Sequence, residues 1–167
     1  KNLHYFKISI GIFLLLAASR FIPHPPNFTS LIALSFYIPI FFGIRFIPAI
    51  ILAFFLTDIF FGFHNLQLFT WGSVIVIGYM SQYFYKSFKT RIIGTFFASL
   101  AFFLISNFGV FALGSYGYSF QGFLTCYYLA LPFFTNTIVS TFIFSILIEA
   151  VYNVFNLEKK LNFLKKN

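Results

Sequence analysis

Apolar residues in this chain gather in long runs, and short gaps between the runs hold most of the charges, prolines and polar side chains. Read as helices, the runs predict six spans at about residues 6–22, 29–43, 46–62, 68–85, 92–113 and 131–155. Pro23 ends the first. Pro39 lies inside the second and predicts a kink. Pro48 falls in the first turn of the third, where a missing N–H costs least. The second and third runs are short, so they are expected to tilt little or to reach only part of a bilayer. Residues 115–130 form the longest connection, and its apolar run 120–130 predicts a helix lying along the surface or folding into the mouth of the bundle. The tail 157–167 places Leu157, Leu161 and Leu164 at helical spacing beside four lysines, the pattern of an interfacial amphipathic anchor.

Composition fixes the solvent. Hydrophobic residues make up 60% of the 167 and charged residues 8%, and the mean hydropathy is +0.90. A soluble core of this length cannot hide that much apolar surface, so lipid must cover the rest. At roughly 20 residues per span, six helices use about 120 residues and leave no room for a second domain. The expected fold is an all-α bundle of six transmembrane helices.

Charge then sets the orientation. Lys1 and Lys7, Arg45, Lys86, Lys89 and Arg91, and Lys159, Lys160, Lys165 and Lys166 all fall on one side of a six-span drawing. The opposite loops carry no Lys or Arg, and Arg20 alone lies near that face. The positive-inside rule therefore predicts both termini in the cytoplasm, for a multi-pass protein of the inner (plasma) membrane. The net charge of +8 belongs to this pattern. A nucleic-acid site would need a solvated basic patch with accessible aromatics, and the 30 phenylalanines are interleaved with Leu and Ile instead. Lys1 and Lys7 before the run 8–18, with Ala17 and Ser19 after it, also look like a secretory signal, which we expect to be a retained first helix.

Candidate chemistry collects at the outer end. Ionisable and strongly polar groups are costly in a bilayer, so their placement carries information. Arg20, Asp58, Trp71, Asn107 and Asn136 sit at the outer ends of five different spans, and His24, Asn27, His64, Tyr116 and Gln121 lie in the outer loops. With Tyr127, these eleven are the expected ligand-binding set, because convergence of polar side chains from separate helices is what a pocket requires. Arg20 and Asp58 also suit an ion pair joining helices one and three. Asn107 and Asn136 suit hydrogen bonds between helices, and Trp71 and the tyrosines an interfacial belt. Glu149, near the inner interface, is expected to snorkel or to pair with Lys7 or Lys86.

Motifs for other chemistry are missing from the sequence. The lone Cys126 excludes an internal disulfide and any Cys-pair zinc site. His24, His64 and Asp58 could converge, but no His-Glu-x-x-His spacing supports a metal. There is no Gly-x-Ser-x-Gly and no phosphate-binding Gly-x4-Gly-Lys-Ser/Thr loop. We expect no enzyme activity and no cofactor. Active work would need an external motor or an ion gradient.

The segments Arg20-x-x-Pro-His-Pro-Pro-Asn-Phe28, Ser106-Asn-Phe-Gly109 and Gly122-x-x-x-Cys126-Tyr-x-x-Ala-Leu-Pro-Phe-Phe-x-Asn136 resemble the signature of an uncharacterised bacterial family of small integral membrane proteins. More distantly, the layout, the polar loop after helix one and the run Ala53-Phe-Phe-Leu-Thr-Asp58 are similar to the substrate-binding (S) components of energy-coupling factor transporters. That second resemblance implies capture of a vitamin-like solute outside. Partners would be a membrane coupling subunit and cytoplasmic ATPases. The small residues four apart that S components often carry on helix one are not reproduced by Gly11 and Ala17–Ala18. The expected function is solute capture for membrane transport. The alternatives are a non-transporting structural subunit of a larger membrane complex and a self-contained secondary transporter using Glu149.

Overall fold

The computed structural model describes residues 2–154, which are helical with short connections and contain no strand. The elements are α1 (Asn2–Phe21), α2 (Leu31–Phe42), α3 (Ile47–Phe61), α4 (Gln67–Met80), α5 (Phe88–Ala112) and α6 (Phe120–Val154), with single 3-10 turns at Ile44–Phe46 and Ser81–Tyr83. Each predicted span has a helix in its place. The predicted tail 157–167 lies outside the described residues.

Three helical segments are long and apolar enough to cross a membrane: Ile44–Phe61, Phe88–Ala112 and Phe120–Val154. Six helices are therefore present, as expected, and three of them meet both the length and the apolarity that crossing needs. α2 has 12 residues and α4 has 14, about 18 and 21 Å, against a hydrocarbon thickness of about 30 Å. α1 has 20 residues but carries Lys7 and Arg20 within them.

The stretch 120–130, expected as a separate helix on the surface or folding into the mouth, is helical but continuous with the last span, and its Cys126, Leu129 and Ala130 line a cavity at the mouth. Residues 120–130 are the first three turns of α6, which continues through Pro132 for 35 residues, about 52 Å. The connection from α5 shrinks to residues 113–119. It fits because Gly122 has no side chain: a Cβ there would stand 2.3 Å from the carbonyl oxygen of Tyr116 and 2.5 Å from that of Gly117. α5 also starts earlier than the apolar run implied. Ser87 caps it, accepting from the Thr90 N–H at 3.2 Å while its own N–H donates to Thr90 Oγ1 at 2.9 Å, a reciprocal capping box. Arg91 thereby falls in the first turn of the helix.

α2 is the centre of the bundle and touches all five other helices. Every residue from Leu31 to Tyr37 is buried. One core lies between α1, α2, α3 and α4 around Leu16, Leu34, Phe46, Ile50 and Val74. A second, around Phe36, Tyr37, Ile77 and Ala98, joins α2 to α4 and α5. Gly94 of α5 lets the Phe36 ring approach to where a Cβ would meet it at 2.4 Å.

The burial pattern is the reverse of a soluble bundle. Leu14 and Leu15 on α1, Leu52 on α3, Val76 on α4 and Ile146 and Leu147 on α6 are exposed. Ser35, Thr57, Asp58, Ser73, Thr95, Thr141, Ser145 and Glu149 are buried. With lipid outside there is no hydrophobic drive between helices, so close packing of small residues holds them together, and the hydroxyls of Ser35, Thr57, Ser73 and Thr95 donate to carbonyls of their own helices.

Contacts at both ends fix the course of the chain. Tyr5 Oη donates to the Arg45 carbonyl at 3.3 Å, and Arg20 pairs with Asp58, so α1 and α3 run parallel. Arg91 at the start of α5 meets Glu149 late in α6, so that pair is antiparallel. Of the described Lys and Arg residues, Lys7, Arg45, Lys86, Lys89 and Arg91 lie toward one end and Arg20 alone toward the other.

Candidate functional site: a polar mouth around Asn27

Proline content makes the loop 22–30 rigid, and hydrogen bonds fasten it on two sides. Ser19 and Ser30 share a hydroxyl contact of 2.8 Å, and the Ser30 N–H donates to Ser19 Oγ at 3.1 Å, tying the loop to α1. On α6, Asn136 Nδ2 donates to the Pro26 carbonyl at 3.1 Å and Ser140 Oγ to the Asn27 carbonyl at 3.3 Å. Between these ties the chain turns at Pro25–Phe28, and Asn27 adopts φ +62°. Asparagine tolerates that left-handed conformation better than most side chains.

Three cavities meet at Asn27. The first, about 230 Å³, is lined by Arg20, His24, Asn27, His64, Thr70, Phe54, Phe61 and Phe102, among others. The second, about 310 Å³, shares Asn27, His64, Thr70 and Phe102 with it and adds Ser106, Asn107, Phe133 and Thr137. The third, also about 310 Å³, shares Asn27, Asn107 and Phe133 with the second and adds Tyr116 and Cys126. Sharing these residues, the three adjoin as one mouth contributed by all six helices and by three loops, 22–30, 62–66 and 113–119. Among the described residues no Asp or Glu lines any of the three.

Asp58 stands behind this wall. It is fully buried; Oδ1 accepts from Arg20 Nη1 at 2.6 Å and Oδ2 from Trp71 Nε1 at 3.2 Å. The same Nη1 also donates to Thr57 Oγ1 and, at 3.4 Å, to the Phe54 carbonyl. The rings of Phe54 and Phe61 lie 4.7 and 4.9 Å from the Arg20 guanidinium carbon. The pair therefore joins α1 to α3, with α4 attached through Trp71, and Arg20 remains in the wall.

Six of the eleven sequence candidates thus line the mouth: Arg20, His24, Asn27, His64, Asn107 and Tyr116. Asp58 and Trp71 hold Arg20 from behind. Tyr127 and Asn136 are employed elsewhere, Tyr127 Oη donating to the Leu104 carbonyl at 2.8 Å and Asn136 fastening the loop. Gln121 is exposed and lines none of these cavities. Thr57 and Thr70 had not been singled out, and only the adjacency of Thr57 to Asp58 could have pointed to it.

A larger cavity lies away from this chemistry. It is a groove of about 720 Å³ between α1 and α3, lined by Phe6, Ile10, Phe13, Leu52, Ala53 and Leu56 with Tyr5 and Ser9. Its lining suits acyl chains rather than a polar ligand. Among the described residues no three His, Cys, Asp or Glu side chains come together as metal ligands.

At the other end Glu149 pairs with Arg91, not with Lys7 or Lys86. Arg91 Nε donates to Oε1 at 2.5 Å and Nη2 to Oε2 at 2.8 Å. The reason is the cap at Ser87, which turns Arg91 into the helix and toward α6.

Residues 1–164 match the family described as "Family of unknown function (DUF6580)". The chain belongs to that family. Comparison of this DUF6580 protein with curated proteins and with solved structures returns no match. The segments that carried the first resemblance have clear physical roles in this DUF6580 fold. Gly109 lies against the Phe69 ring, 2.5 Å from where its Cβ would be, and Gly122 seats the turn before α6. Cys126 Sγ donates to the Asn107 carbonyl at 3.3 Å, binding α6 to α5 at the edge of the mouth.

Proposed function

We propose that this protein is the solute-capturing component of a membrane transport system. It sits in the inner membrane with all six helices embedded, both termini cytoplasmic and the Asn27 mouth facing outward. One observation carries the reading: the three cavities, each lined in part by polar side chains, converge on Asn27 at one end of a bundle whose sides expose Leu14, Leu15, Leu52, Val76, Ile146 and Leu147. Among the described residues, Arg20 alone at that end, against five Lys or Arg at the other, supports the orientation through the positive-inside rule.

In this reading Asn27, Asn107 and His64 place hydrogen bonds on a planar polar solute, Tyr116 and Phe133 cover it, and His24, whose ring nitrogens face the Pro25 and Arg20 carbonyls at 2.7 and 3.3 Å, shapes the wall. Movement of the helices then releases it inward. The drive comes from partners, a membrane coupling subunit and cytoplasmic ATPases, as the layout's similarity to the S components of energy-coupling factor transporters suggests.

Asn27→Gly tests the site without disturbing the fold, because glycine accepts φ +62° and only the side chain is lost. We expect thermal stability within about 1 kcal/mol of wild type and a clear loss of the bound solute. Retention of solute at the wild-type level would remove the mouth from the proposal. Asp58→Asn is expected to weaken binding or folding, since it leaves Arg20 without its counter-charge; unchanged binding and stability would exclude Asp58 from supporting the site.

A further inference from the structure

We infer that the captured solute carries an anionic group, a carboxylate or a phosphate, which docks on the Nε/Nη2 edge of Arg20. The inference rests on the capture reading and narrows it to a substrate class.

The observation is a comparison within the molecule. Arg91 holds a carboxylate by its Nε/Nη2 edge, each nitrogen donating to one oxygen of Glu149. That fork is the strong, planar way for a guanidinium to bind an acid. Arg20 uses the opposite corner. All its protein hydrogen bonds, to Phe54, Thr57 and Asp58, leave from Nη1. Nε and Nη2 have no partner among the described residues, although the side chain is only 15% exposed and lines the cavity. The rings of Phe54 and Phe61 lie against the guanidinium, so what it offers is the edge.

Its surroundings agree. Among the described residues no carboxylate lines the mouth. His64 Nδ1 accepts from the Leu66 N–H at 3.2 Å, which places the proton of the neutral ring on Nε2 and makes it a donor beside Arg20. Asp58 cancels the charge of Arg20 without blocking the fork, so the resting site carries no unpaired buried cation. The mouth is built to receive an acid by hydrogen bonds.

The test uses the full chain in an uncharged detergent, with benzoate, phenyl phosphate, benzamide and dihexanoylphosphatidylglycerol as probes and thermal unfolding as readout. Benzoate or phenyl phosphate is expected to raise the Tm and isosteric benzamide to leave it unchanged, the more effective acid naming the group. The double variant Arg20→Gln/Asp58→Asn removes the fork without stranding a charge, and should weaken acid binding about ten- to a hundredfold. If that variant fails to fold, Arg20→Lys keeps the charge and the Asp58 partner but loses the fork, and the same weakening is expected. Undiminished acid binding in a folded variant would overturn the inference. So would equal stabilisation by benzamide, which leaves the capture reading standing. Stabilisation by the phospholipid alone would assign the edge to a lipid headgroup and overturn it too. No shift with any probe, together with no co-purifying solute, would overturn both.

Discussion

Breaking the Arg91–Glu149 pair is predicted to cost far more than removing it. Glu149 is 3% exposed in its side chain and Arg91 11%, and two charge-assisted hydrogen bonds of 2.5 and 2.8 Å join them. Without the carboxylate, the partners of Arg91 among the described residues are the Tyr85 carbonyl at 3.3 Å and the rings of Phe41 and Tyr152, 6.0 and 5.6 Å away. Losing one member of a buried pair costs about 3–5 kcal/mol, because the survivor is left charged and desolvated. Glu149→Leu should therefore destabilise by that amount. Arg91→Met should cost less, since a carboxyl can take up a proton and become neutral. The double variant removes both charges together and should lie within about 2 kcal/mol of wild type. The assay is reversible unfolding in mixed micelles with increasing sodium dodecyl sulfate, followed by circular dichroism for the four proteins. The predicted coupling energy is about 3 kcal/mol. Additivity of the single variants to within about 0.5 kcal/mol would refute the reasoning, for it would mean the two groups do not depend on one another.

Other consequences follow from close contacts. Gly122→Ala should destabilise by about 2 kcal/mol or more, because the added Cβ meets backbone oxygen of Tyr116 and Gly117 rather than a side chain that can rotate; a melting curve unchanged from wild type would show that the 113–119 turn is not seated on α6. Cys126 is 2% exposed, so N-ethylmaleimide should label it slowly in the folded protein and fully after denaturation; rapid labelling of the native state would contradict the packing of α6 against α5. Ser87→Ala removes the cap of α5 and should cost about 1 kcal/mol, read in the same micelle titration; no loss would mean the start of α5 is held by packing alone.

How much of this was legible in the sequence depended on which force did the placing. The helices were legible, because runs of Phe, Leu and Ile interrupted by Pro23, Gly43 and Gly62 state both content and breaks. Their ends were less so. The cap at Ser87 depends on a Ser-x-x-Thr pair whose hydroxyls had to be seen meeting, and it moved Arg91 into the helix and decided the partner of Glu149. The continuation of α6 through residues 120–130 was hidden for a related reason. A helix that projects past the hydrocarbon and one that lies on the surface have the same composition.

For the mouth, the stretch from Arg20 to Phe28 announced itself through three prolines, a histidine and an asparagine in a setting of apolar residues. Its partners were partly legible: Asn107 and His64 from their placement at one end, but not Thr70. Sequence could not divide Asp58 and Trp71 from the lining residues, because depth behind a wall follows from side-chain direction rather than from position along a helix. Nor could it assign Asn136 and Tyr127 to backbone carbonyls, since the acceptors, on Pro26 and Leu104, are distant along the chain and are not side chains.

The central claim is that the mouth around Asn27 holds a small solute. It is tested most directly by mass spectrometry of the small molecules released from the protein after gentle purification from its native host, alongside Asn27→Gly and Asn107→Ala variants that remain folded. The account predicts one solute near one equivalent in the wild type and strongly reduced in both variants. A wild-type protein that carries no solute, and instead brings other membrane subunits with it, would contradict the account and make this chain a structural subunit.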